Sequence, residues 1–424
     1  MCDSSIALQP TMAKLRDFDD PNYNPAISDE TAFGDDRDPY AFLHELAARG
    51  PVLEGDLREM QGVTPDMTSR GRRKFVVLGY NEIREVLSNT DNFCVEHNRT
   101  GLSQTFGSHS LTVLDPPEHP RYRRIFQKAF LPHVVGTWSQ EFIEPVINDL
   151  LDRFTGRGRC DLMKEFVFPF PFEIIYRQLR LPPDDAKLFH RLALALTLYM
   201  VDLEHGREAH DKLGAYFQDV IDERRKHPGT DLISVLASTE VDGKYLPDEV
   251  LLSFLRQLMN AAGDTTYRST GNMLVALLVE RPDQFEMVKR DRSLIAKAIE
   301  ETLRWEGPVN HAFRTAKRDV VIAGVEIPAG CIVDCVTGIA NRDPQIYPDP
   351  DEFDMMRQHL RPHMAFATGP HVCLGQHLAR LEMTRAMNIL LDRFPNLRLD
   401  PEYPKPEVRG TSMRVPRQIY VRVD

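Results

Sequence analysis

Cys373 is the side chain of this sequence with the clearest potential for chemistry, because of the residues that surround it. Residues 366–375 read FATGPHVCLG, so a glycine and a proline interrupt regular structure, and the leucines that follow predict a helix running to about Phe394. A cysteine at a helix N-terminus faces unpaired N–H groups and the positive end of the dipole. Both stabilise the thiolate, the form that binds metals. Gly375 has no side chain, so a flat cofactor could approach the backbone there.

The alternative for Cys373 is a buried structural cysteine beside a helix cap, which would be the better interpretation of a lone cysteine. The other cysteines give no metal site of their own. They form no C-x-x-C pair, and Cys331 and Cys335 have no second pair nearby to complete a zinc site. We expect most of them to be free thiols: Cys2, Cys94, Cys160, Cys331 and Cys335. The whole ten-residue segment favours the metal ligand.

A long helix is predicted from Pro247 to Glu280. Proline suits the first helical position, acidic residues follow it in the first turn, and the apolar pattern ends just before Pro282. At 1.5 Å per residue this helix is roughly 50 Å long, enough to cross a domain. It is apolar around much of its circumference, which predicts burial. Its middle, residues 261–266, reads AAGDTT, a poor helix-forming sequence for a core helix.

Thr265 and Asp264 are the reactive residues of that helix. A helical threonine can donate to the carbonyl four residues earlier, here that of Ala261, which weakens the regular ladder and leaves room for a water or a small ligand. A buried aspartate is costly unless it is hydrogen-bonded or exchanges protons. The alternative is a local kink with an ion-paired aspartate, which is common in long helices.

Two further pairs of charged residues have helical spacing. Glu301 and Arg304 lie three apart and face each other, although such a pair alone would be a surface ion pair of small energy. His119 and Arg123 lie four apart, within the segment DPPEHPRYR of residues 115–123, and could converge on one anion.

With these segments the chain resembles the cytochrome P-450 family of haem-thiolate monooxygenases. Residues 366–375 match the cysteine-loop signature F-x-x-G-x-H-x-C-x-G, with Ala367 where the family usually has glycine or serine. Residues 261–266 resemble the motif A/G-G-x-D/E-T-T, with Ala262 at the second position, and residues 115–123 and 301–304 resemble D-P-P-x-H-x-x-x-R and E-x-x-R. The resemblance extends over nearly the whole chain. It implies one mainly α domain with small β-sheets, residues 1–424, whose first 25 residues are irregular.

The resemblance also assigns roles to individual residues. It implies one haem b per chain, with Cys373 as the axial ligand of the iron. Thr265 would hydrogen-bond the oxygen ligand and Asp264 would help to relay protons. The residues implied to contact the haem or its propionates are His119, Arg123, Arg314, Phe366, His371 and Gly375. The E-x-x-R pair would hold the fold on the cysteine side, with Arg357 as its third partner or Arg361 in its place.

Composition limits the remaining possibilities. With 42% apolar and 27% charged residues the chain has the make-up of an ordinary globular protein, and its net charge of −11 argues against nonspecific nucleic-acid binding. No targeting or membrane-spanning segment is visible, so we expect a cytoplasmic protein. The chain carries no flavin or dinucleotide fingerprint. By the resemblance, electrons would come from a ferredoxin and its reductase, docking on a basic patch of Arg121, Arg123, Arg124, Lys128, Arg361 and Arg380.

The expected substrate is a small, mostly apolar organic molecule. We expect the pocket to be formed by residues 93–113, 166–203, 309–313 and 411–415, which include polar side chains that could orient a polar or acidic group: Asn98, Arg99, His109, Asn310 and His311. Two alternatives stay open. A haem-thiolate peroxygenase would use hydrogen peroxide, although such relatives typically lose the acid–threonine pair that this chain keeps. A noncatalytic haem sensor or carrier would need an output domain or a partner surface.

Overall fold

The structure, a computed structural model, describes residues 14–182, 185–241, 243–358 and 361–424, with the backbone alone at positions 30 and 31. The α-helices are numbered in chain order: α1 Pro25–Phe33, α2 Pro39–Arg49, α3 Leu57–Met60, α4 Tyr80–Ser88, α5 Glu96–Thr105, α6 Glu118–Gln127, α7 Pro132–Trp138, α8 Glu144–Asp152, α9 Pro169–Gln178, α10 Ala186–Ala195, α11 Leu203–Lys226, α12 Leu232–Ala237, α13 Asp248–Val275, α14 Pro282–Arg290, α15 Ile295–Trp305, α16 Thr337–Ala340 and α17 Gln376–Arg393. Within the described ranges, every helix is too short or too polar to span a lipid bilayer.

The strands are short and belong to small sheets. They are β1 Val52–Glu54, β2 Lys74–Val77, β3 Phe93–Cys94, β4 Arg159–Asp161, β5 Glu240–Val241, β6 Lys244–Tyr245, β7 Ala312–Ala316, β8 Val320–Ile322, β9 Val325–Ile327, β10 Ile332–Cys335, β11 Arg398–Leu399, β12 Val408–Arg409, β13 Val415–Pro416 and β14 Tyr420–Arg422. The largest sheet has the order β1-β2-β10-β7-β3, in which only β2 and β10 run parallel. A second sheet has the order β11-β14-β4, and three hairpins complete the strands.

Helix α13 forms the centre of the molecule. It continues through a π-helical turn, Ala276–Glu280, so the predicted end at Glu280 is confirmed, and the predicted start at Pro247 is its N-cap. Helices α9, α10, α11, α15 and α17 pack around it. Most of its side chains are buried because neighbours cover it on nearly every side.

Short β-branched runs in the sequence predict strands at residues 75–78, 319–335 and 418–423, and the structure confirms them. Residues 75–78 fall on β2, residues 418–423 on β14, and residues 319–335 form β8, β9 and β10 with turns at the predicted glycines. The sequence predicts an irregular N-terminal segment over residues 1–25. Residues 14–24 form no helix or strand, but Leu15, Phe18 and Tyr23 are buried in the main core. The earlier residues of that segment lie outside the described ones, and α1 begins at Pro25.

Candidate active site

The loop before α17 presents Cys373 at the helix N-terminus. The Cys373 N–H donates to the carbonyl of Phe366 at 2.9 Å, which closes the loop over a 3-10 turn at residues 369–371. Gly369 has φ +75°, and a Cβ there would lie 2.5 Å from the carbonyl oxygen of Leu87, so only glycine fits. Ala367 also has a positive φ, 55°, which costs an alanine about 1–2 kcal/mol. This is the local price of its departure from the family pattern.

Cys373 opens onto a cavity between α6, α13 and the cysteine loop. Its walls are mainly apolar: Leu111, Phe130, Phe254, Leu258, Ala261, Ala262, Leu303, Val309, Phe366 and Leu374. Burial raises the pKa of the Cys373 thiol, and the N–H groups of Gly375 and Gln376, together with Arg123 and Arg380, act against that rise. The predicted help from the helix N-terminus is present but smaller than the cost of burial. A thiolate here therefore needs a positively charged partner, such as a metal ion.

Thr265 lies on the α13 wall of the same cavity. Its Oγ1 donates to the carbonyl of Ala261 at 3.0 Å, the bond expected from the sequence. The helix nevertheless stays α-helical through residues 248–275. Gly263, which marks the odd sequence at its middle, faces α9, and a Cβ there would lie 2.4 Å from the ring of Phe172. Close helix packing, rather than a break, explains that glycine.

Asp264 points away from Thr265 and the cavity. Its Oδ1 accepts from Nε of Arg268 at 3.1 Å, and Nη2 of Arg268 reaches Asp29 of α1 at 2.7 Å. Asp264 and Arg268 are each 1% exposed. Burial raises the pKa of Asp264, and Arg268 opposes the rise. The residues expected to act together are thus adjacent in the chain but lie on different sides of α13, and the aspartate is ion-paired, as the alternative interpretation supposed.

A second cavity lies on the Asp264 side of α13. Asp29, Tyr267 and Arg268 form part of its wall, together with Phe33 and Arg417. The Asp29–Arg268–Asp264 chain of ion pairs therefore runs from the wall of this cavity to the residue next to Thr265.

Four basic side chains form a buried cluster beside the cysteine loop. The rings of His119 and His371 are 4.0 Å apart, and Nη2 of Arg123 donates to the carbonyl of Val372 at 2.5 Å. Burial, reinforced by Arg123 and Arg314, lowers the pKa of His119 to about 4. Burial also lowers the pKa of His371 to about 2, with His119 and both arginines adding to the effect.

This cluster lacks an anion among the described residues. No carboxylate there lies within 4.0 Å of Arg123 or Arg314, and Nε2 of His119 has no hydrogen-bond partner. Buried cationic groups are costly without an anion. The residues that the resemblance assigns to the propionates are therefore brought together, and their chemistry fits the two carboxylates of a haem whose iron is bound by Cys373.

Glu301, Arg304 and Arg357 form a buried ion cluster. Arg304 donates from Nε and Nη2 to the two Glu301 oxygens at 2.8 and 2.7 Å, and Arg357 Nε donates to Oε1 at 3.0 Å. Arg304 also donates to the carbonyls of residues 341, 350 and 352, which fixes the chain ahead of the cysteine loop. The structure thus places Arg357 at Glu301, whereas Arg361 donates to Asn81 instead.

An adjoining space, the second lobe, shares Thr112, Val309 and His371 with the walls of the first cavity. Of the five polar side chains expected in the pocket, Asn98 and His311 lie on the wall of this lobe. The other three bond mainly to protein: Arg99 to Val113 and Asp115, His109 to Ser108, and Asn310 to Tyr40 and Thr411.

Several functional positions had no signal in the sequence. Arg58 lies on the wall of the second lobe, although it comes from α3, far from any recognised motif. Arg414 pairs with the buried Glu306 at 2.6 Å and also donates to the carbonyls of Asp36 and Arg37, which joins the C-terminal part of the chain to its N-terminal part. Glu382 of α17 is buried beside Thr266 of α13. Each depends on contacts between distant segments, so only the three-dimensional structure reveals it.

In this mainly α protein one apolar cavity is surrounded by the central helix α13, the basic cluster and the cysteine at the N-terminus of α17. This is the architecture of a haem-thiolate protein. A sequence profile of the family described as Cytochrome P450 matches residues 186–422. Cytochrome P450 107B1 of Saccharopolyspora erythraea is 38% identical over 305 residues, covering 71% of this chain and 73% of that protein. Cytochrome P450 monooxygenase PikC of Streptomyces venezuelae is 32% identical over 403 residues, covering 91% and 93%.

Solved structures give the same result. The crystal structure of CYP109E1 from Bacillus megaterium in complex with testosterone has a TM-score of 0.78 and 30% identity, and covers 91% of this chain and 99% of that one. P450BioI in complex with hexadec-9Z-enoic acid ligated acyl carrier protein has a TM-score of 0.81 and 28% identity, with the same coverage. The chain belongs to the cytochrome P450 family. It is an oxidoreductase of the monooxygenase class, and its family implies a haem cofactor.

Proposed function

We propose that this protein binds one haem b through Cys373 and hydroxylates a small, mostly apolar organic molecule with O2 and two electrons from a ferredoxin. The observation that carries the proposal is the shared cavity. It places the Cys373 thiol, the Thr265 hydroxyl and the unpaired basic cluster around one space with apolar walls. Bound haem would supply oxygen activation, which a thiolate ligand favours.

The residues of the chain would divide the remaining work. Arg123, Arg314, His119 and His371 would hold the propionates and so fix the orientation of the ring plane. The apolar walls would hold a C–H bond of the substrate in place and exclude bulk water. The Thr265 hydroxyl would move a proton into the cavity, and Asp264 would resupply it from the ion-paired side of α13.

Asp264 has to change its partner to do this. In the present arrangement its carboxylate bonds to Arg268 on the side of the second cavity. Proton delivery through Asp264 would therefore include a rotation of its side chain towards Thr265, or a water between the two groups. Because Asp264 lies on the side of α13 opposite Thr265, it would link the second cavity to the active site.

Electrons would enter on the cysteine side. Of the six basic residues considered for a ferredoxin patch, Arg380 pairs with Glu300 at 2.6 Å and Arg123 lies within the buried cluster. Arg121, Arg124 and Lys128, on α6 and the turn after it, are exposed. These three form the patch we propose for an acidic ferredoxin, whose association would weaken with added salt. A cytoplasmic location agrees with such a partner.

Spectroscopy and turnover test the proposal directly. The reduced carbon monoxide complex of the wild type should have a thiolate-type absorption spectrum, and Cys373→Ser should lose it. The buried Cys335, changed to Ser, is the matched control that should keep it. A thiolate-type spectrum in Cys373→Ser would overturn the assignment of the ligand.

The two rival functions are separated by the source of oxygen. With ferredoxin, reductase and a bound substrate, we expect product and NAD(P)H consumption to exceed the product obtained with hydrogen peroxide alone. Faster peroxide-supported turnover would favour a peroxygenase. A haem-loaded protein that consumes no oxygen with any ligand that binds its cavity would favour a sensor or carrier.

A further inference from the structure

The segment between β1 and β2 forms part of the wall of the second lobe. Adjacent antiparallel strands are usually joined by a turn of about two to five residues. Here residues 55–73 intervene and contain α3 and a 3-10 turn, each started by an aspartate cap, Asp56 and Asp66. This segment, the β1–β2 connection, supplies Arg58 and Gln61 to the wall of the second lobe.

Arg58 is held rigidly by backbone carbonyls. Its Nε donates to the carbonyl of Thr64 at 2.8 Å, and its Nη2 donates to the carbonyls of Ala32 and Thr64 at 2.7 and 2.5 Å. The residue is 8% exposed. Three bonds to two carbonyls fix the plane of the guanidinium, so little side-chain entropy would be lost when a ligand binds it.

The remaining nitrogen, Nη1, has no hydrogen-bond partner among the described residues, and no carboxylate there lies within 4.0 Å of the guanidinium. Asp66, Asp56 and Asp334 act on Arg58 only at longer range, and burial lowers its pKa. Asp334 already pairs with His311 at 2.8 Å on the wall of the same lobe. Arg58 is therefore a buried cation with two free hydrogens and no contacting anion, a costly state that an anionic ligand would relieve.

The lobe that contains Arg58 adjoins the cavity onto which Cys373 opens, because Thr112, Val309 and His371 lie on the walls of both. Apart from Arg58, its polar side chains include Gln61, Asn98 and the His311–Asp334 pair, and its apolar ones include Leu102, Met200 and Phe313. A molecule that occupies the second lobe and extends to Thr265 would therefore place an apolar part at the Thr265 side of the first cavity and a polar end at Arg58.

We infer that Arg58 binds a carboxylate of the substrate, so that this enzyme oxidises the apolar part of an organic acid at a carbon remote from its carboxyl group. This inference rests on the proposed monooxygenase function and adds the substrate class and the residue that selects it. Arg58 touches the bound acid in this arrangement, while the β1–β2 connection positions the guanidinium. A charge-assisted hydrogen bond favours the ionised acid over any neutral derivative of the same skeleton.

The test compares carboxylic acids of straight-chain, arylalkyl and terpenoid skeletons, each beside its own methyl ester. Calorimetry on the haem-loaded protein measures Kd, and the haem absorption spectrum reports whether the ligand reaches the iron side of the cavity. For at least one skeleton the acid should bind about tenfold to a hundredfold more tightly than the ester, the effect expected of a hydrogen bond to a charged group. Equal affinity of acid and ester for every skeleton, or no binding by any acid, overturns the inference.

Variants locate the effect. Arg58→Met should raise the Kd of the acid to that of its ester and leave the ester unchanged, and Arg58→Lys, which keeps the charge, should retain part of the preference. The control is Arg70→Met, an exposed arginine of the same connection, which should change neither Kd. Full acid preference in Arg58→Met overturns the inference, and the wild-type comparison alone decides it if that variant does not fold.

The Arg58 site and the monooxygenase function can be disproved independently of each other. Acid preference in a protein without a thiolate-type carbon monoxide spectrum would support the Arg58 site and reject the monooxygenase. Turnover of neutral compounds by a protein without acid preference would do the reverse.

Discussion

Thr265 carries the most direct residue-scale prediction. Thr265→Val keeps the shape of the side chain but removes the hydroxyl from the cavity wall. The residue could then no longer direct protons into the cavity. Product formed per NAD(P)H consumed should fall by about tenfold or more while peroxide release rises, because a positioned proton donor typically contributes about a hundredfold or more.

The matched control for Thr265 is Thr270→Val. Thr270 donates to the carbonyl of Thr266 at 2.8 Å in the same helix, but it is buried away from the cavity. Equal loss of product yield in both variants would mean that α13 was merely disturbed, and an unchanged yield in Thr265→Val would remove the threonine from proton transfer.

Glu382 gives a prediction about pH. It is 1% exposed, and burial raises its pKa well above the usual value, while the nearby Thr266 hydroxyl acts in the opposite direction. The folded protein therefore holds this proton more tightly than the unfolded chain does. Its stabilising contribution is complete below the unfolded pKa of about 4.3 and is lost as pH rises towards the folded value, by about 1.4 kcal/mol per pH unit.

Glu382→Gln cannot titrate, so its stability relative to the wild type should increase with pH at that slope. Denaturant unfolding of the haem-loaded protein between about pH 5 and about pH 8 measures this difference. The exposed Glu59, changed to Gln, is the control and should give a difference that does not vary with pH. A pH-independent difference for Glu382→Gln would contradict the raised pKa.

At the residue scale, short motifs predicted the positions of the chemistry but not the directions of the side chains. Cys373, Thr265 and the basic cluster could be anticipated because each belongs to a local pattern. The direction of Asp264 could not, since it is set by an ion pair between Arg268 and Asp29, which are 239 positions apart. Arg58 belongs to no recognisable sequence motif, because its proposed role follows from its position on the wall of the second lobe.

Helix α13 supplies the prediction at the scale of elements. A methyl group at Gly263 would lie 2.4 Å from the ring of Phe172, which itself stacks on His190 with centroids 3.6 Å apart. Gly263→Ala should therefore destabilise the protein by about 1–3 kcal/mol, the usual cost of overpacking, despite the better helix propensity of alanine.

Gly136 of α7 is the control for this substitution, since nothing lies within 4 Å of the position its Cβ would take. Gly136→Ala should stabilise the protein by up to about 1 kcal/mol. Thermal and denaturant unfolding of the two variants should give opposite signs, and two effects of the same sign would show that α13 and α9 can separate at little cost.

The spacing of apolar residues and the positions of proline and glycine predict most elements. They include the full extent of α13 and the turns between β8, β9 and β10. The reason is that apolar spacing and proline or glycine breaks are local properties. The β1–β2 connection was not anticipated, because its caps and short helix have little apolar periodicity. The sequence marks Gly263 as a weak point of helix α13. Its actual role is close packing against the neighbouring helix α9.

For the whole molecule, Arg414 joins distant parts of the chain. It pairs with Glu306 at 2.6 Å and donates to the carbonyls of Asp36 and Arg37 at 3.3 and 2.9 Å, while being 1% exposed. Arg414→Met should lower the free energy of unfolding by about 3–5 kcal/mol, because a buried carboxylate loses a partner and buried carbonyls lose their donor.

Arg409→Met is the comparison for Arg414. Arg409 forms ion pairs with Asp35 and Glu407 at the surface, so its loss should cost about 1 kcal/mol or less. Similar losses in both variants, measured by unfolding of the haem-loaded protein, would contradict the importance of the buried connection. The fold class was predictable from the motifs, but this closure of the chain was not, since no local pattern links residues 36 and 414.

The ion pair between α1 and Arg268 has a practical consequence. The first 25 residues carry no expected secondary structure, which invites trimming of the N-terminus when the protein is produced, and a cut placed slightly later would also remove α1. A version that began after Phe33 would lose Asp29, and Arg268 would then interact with Asp264 alone, next to a cavity open to water. Such a shortened protein could still take up haem and bind substrate, yet lose oxygen to side reactions. Assays of product yield should therefore be made on chains that retain α1.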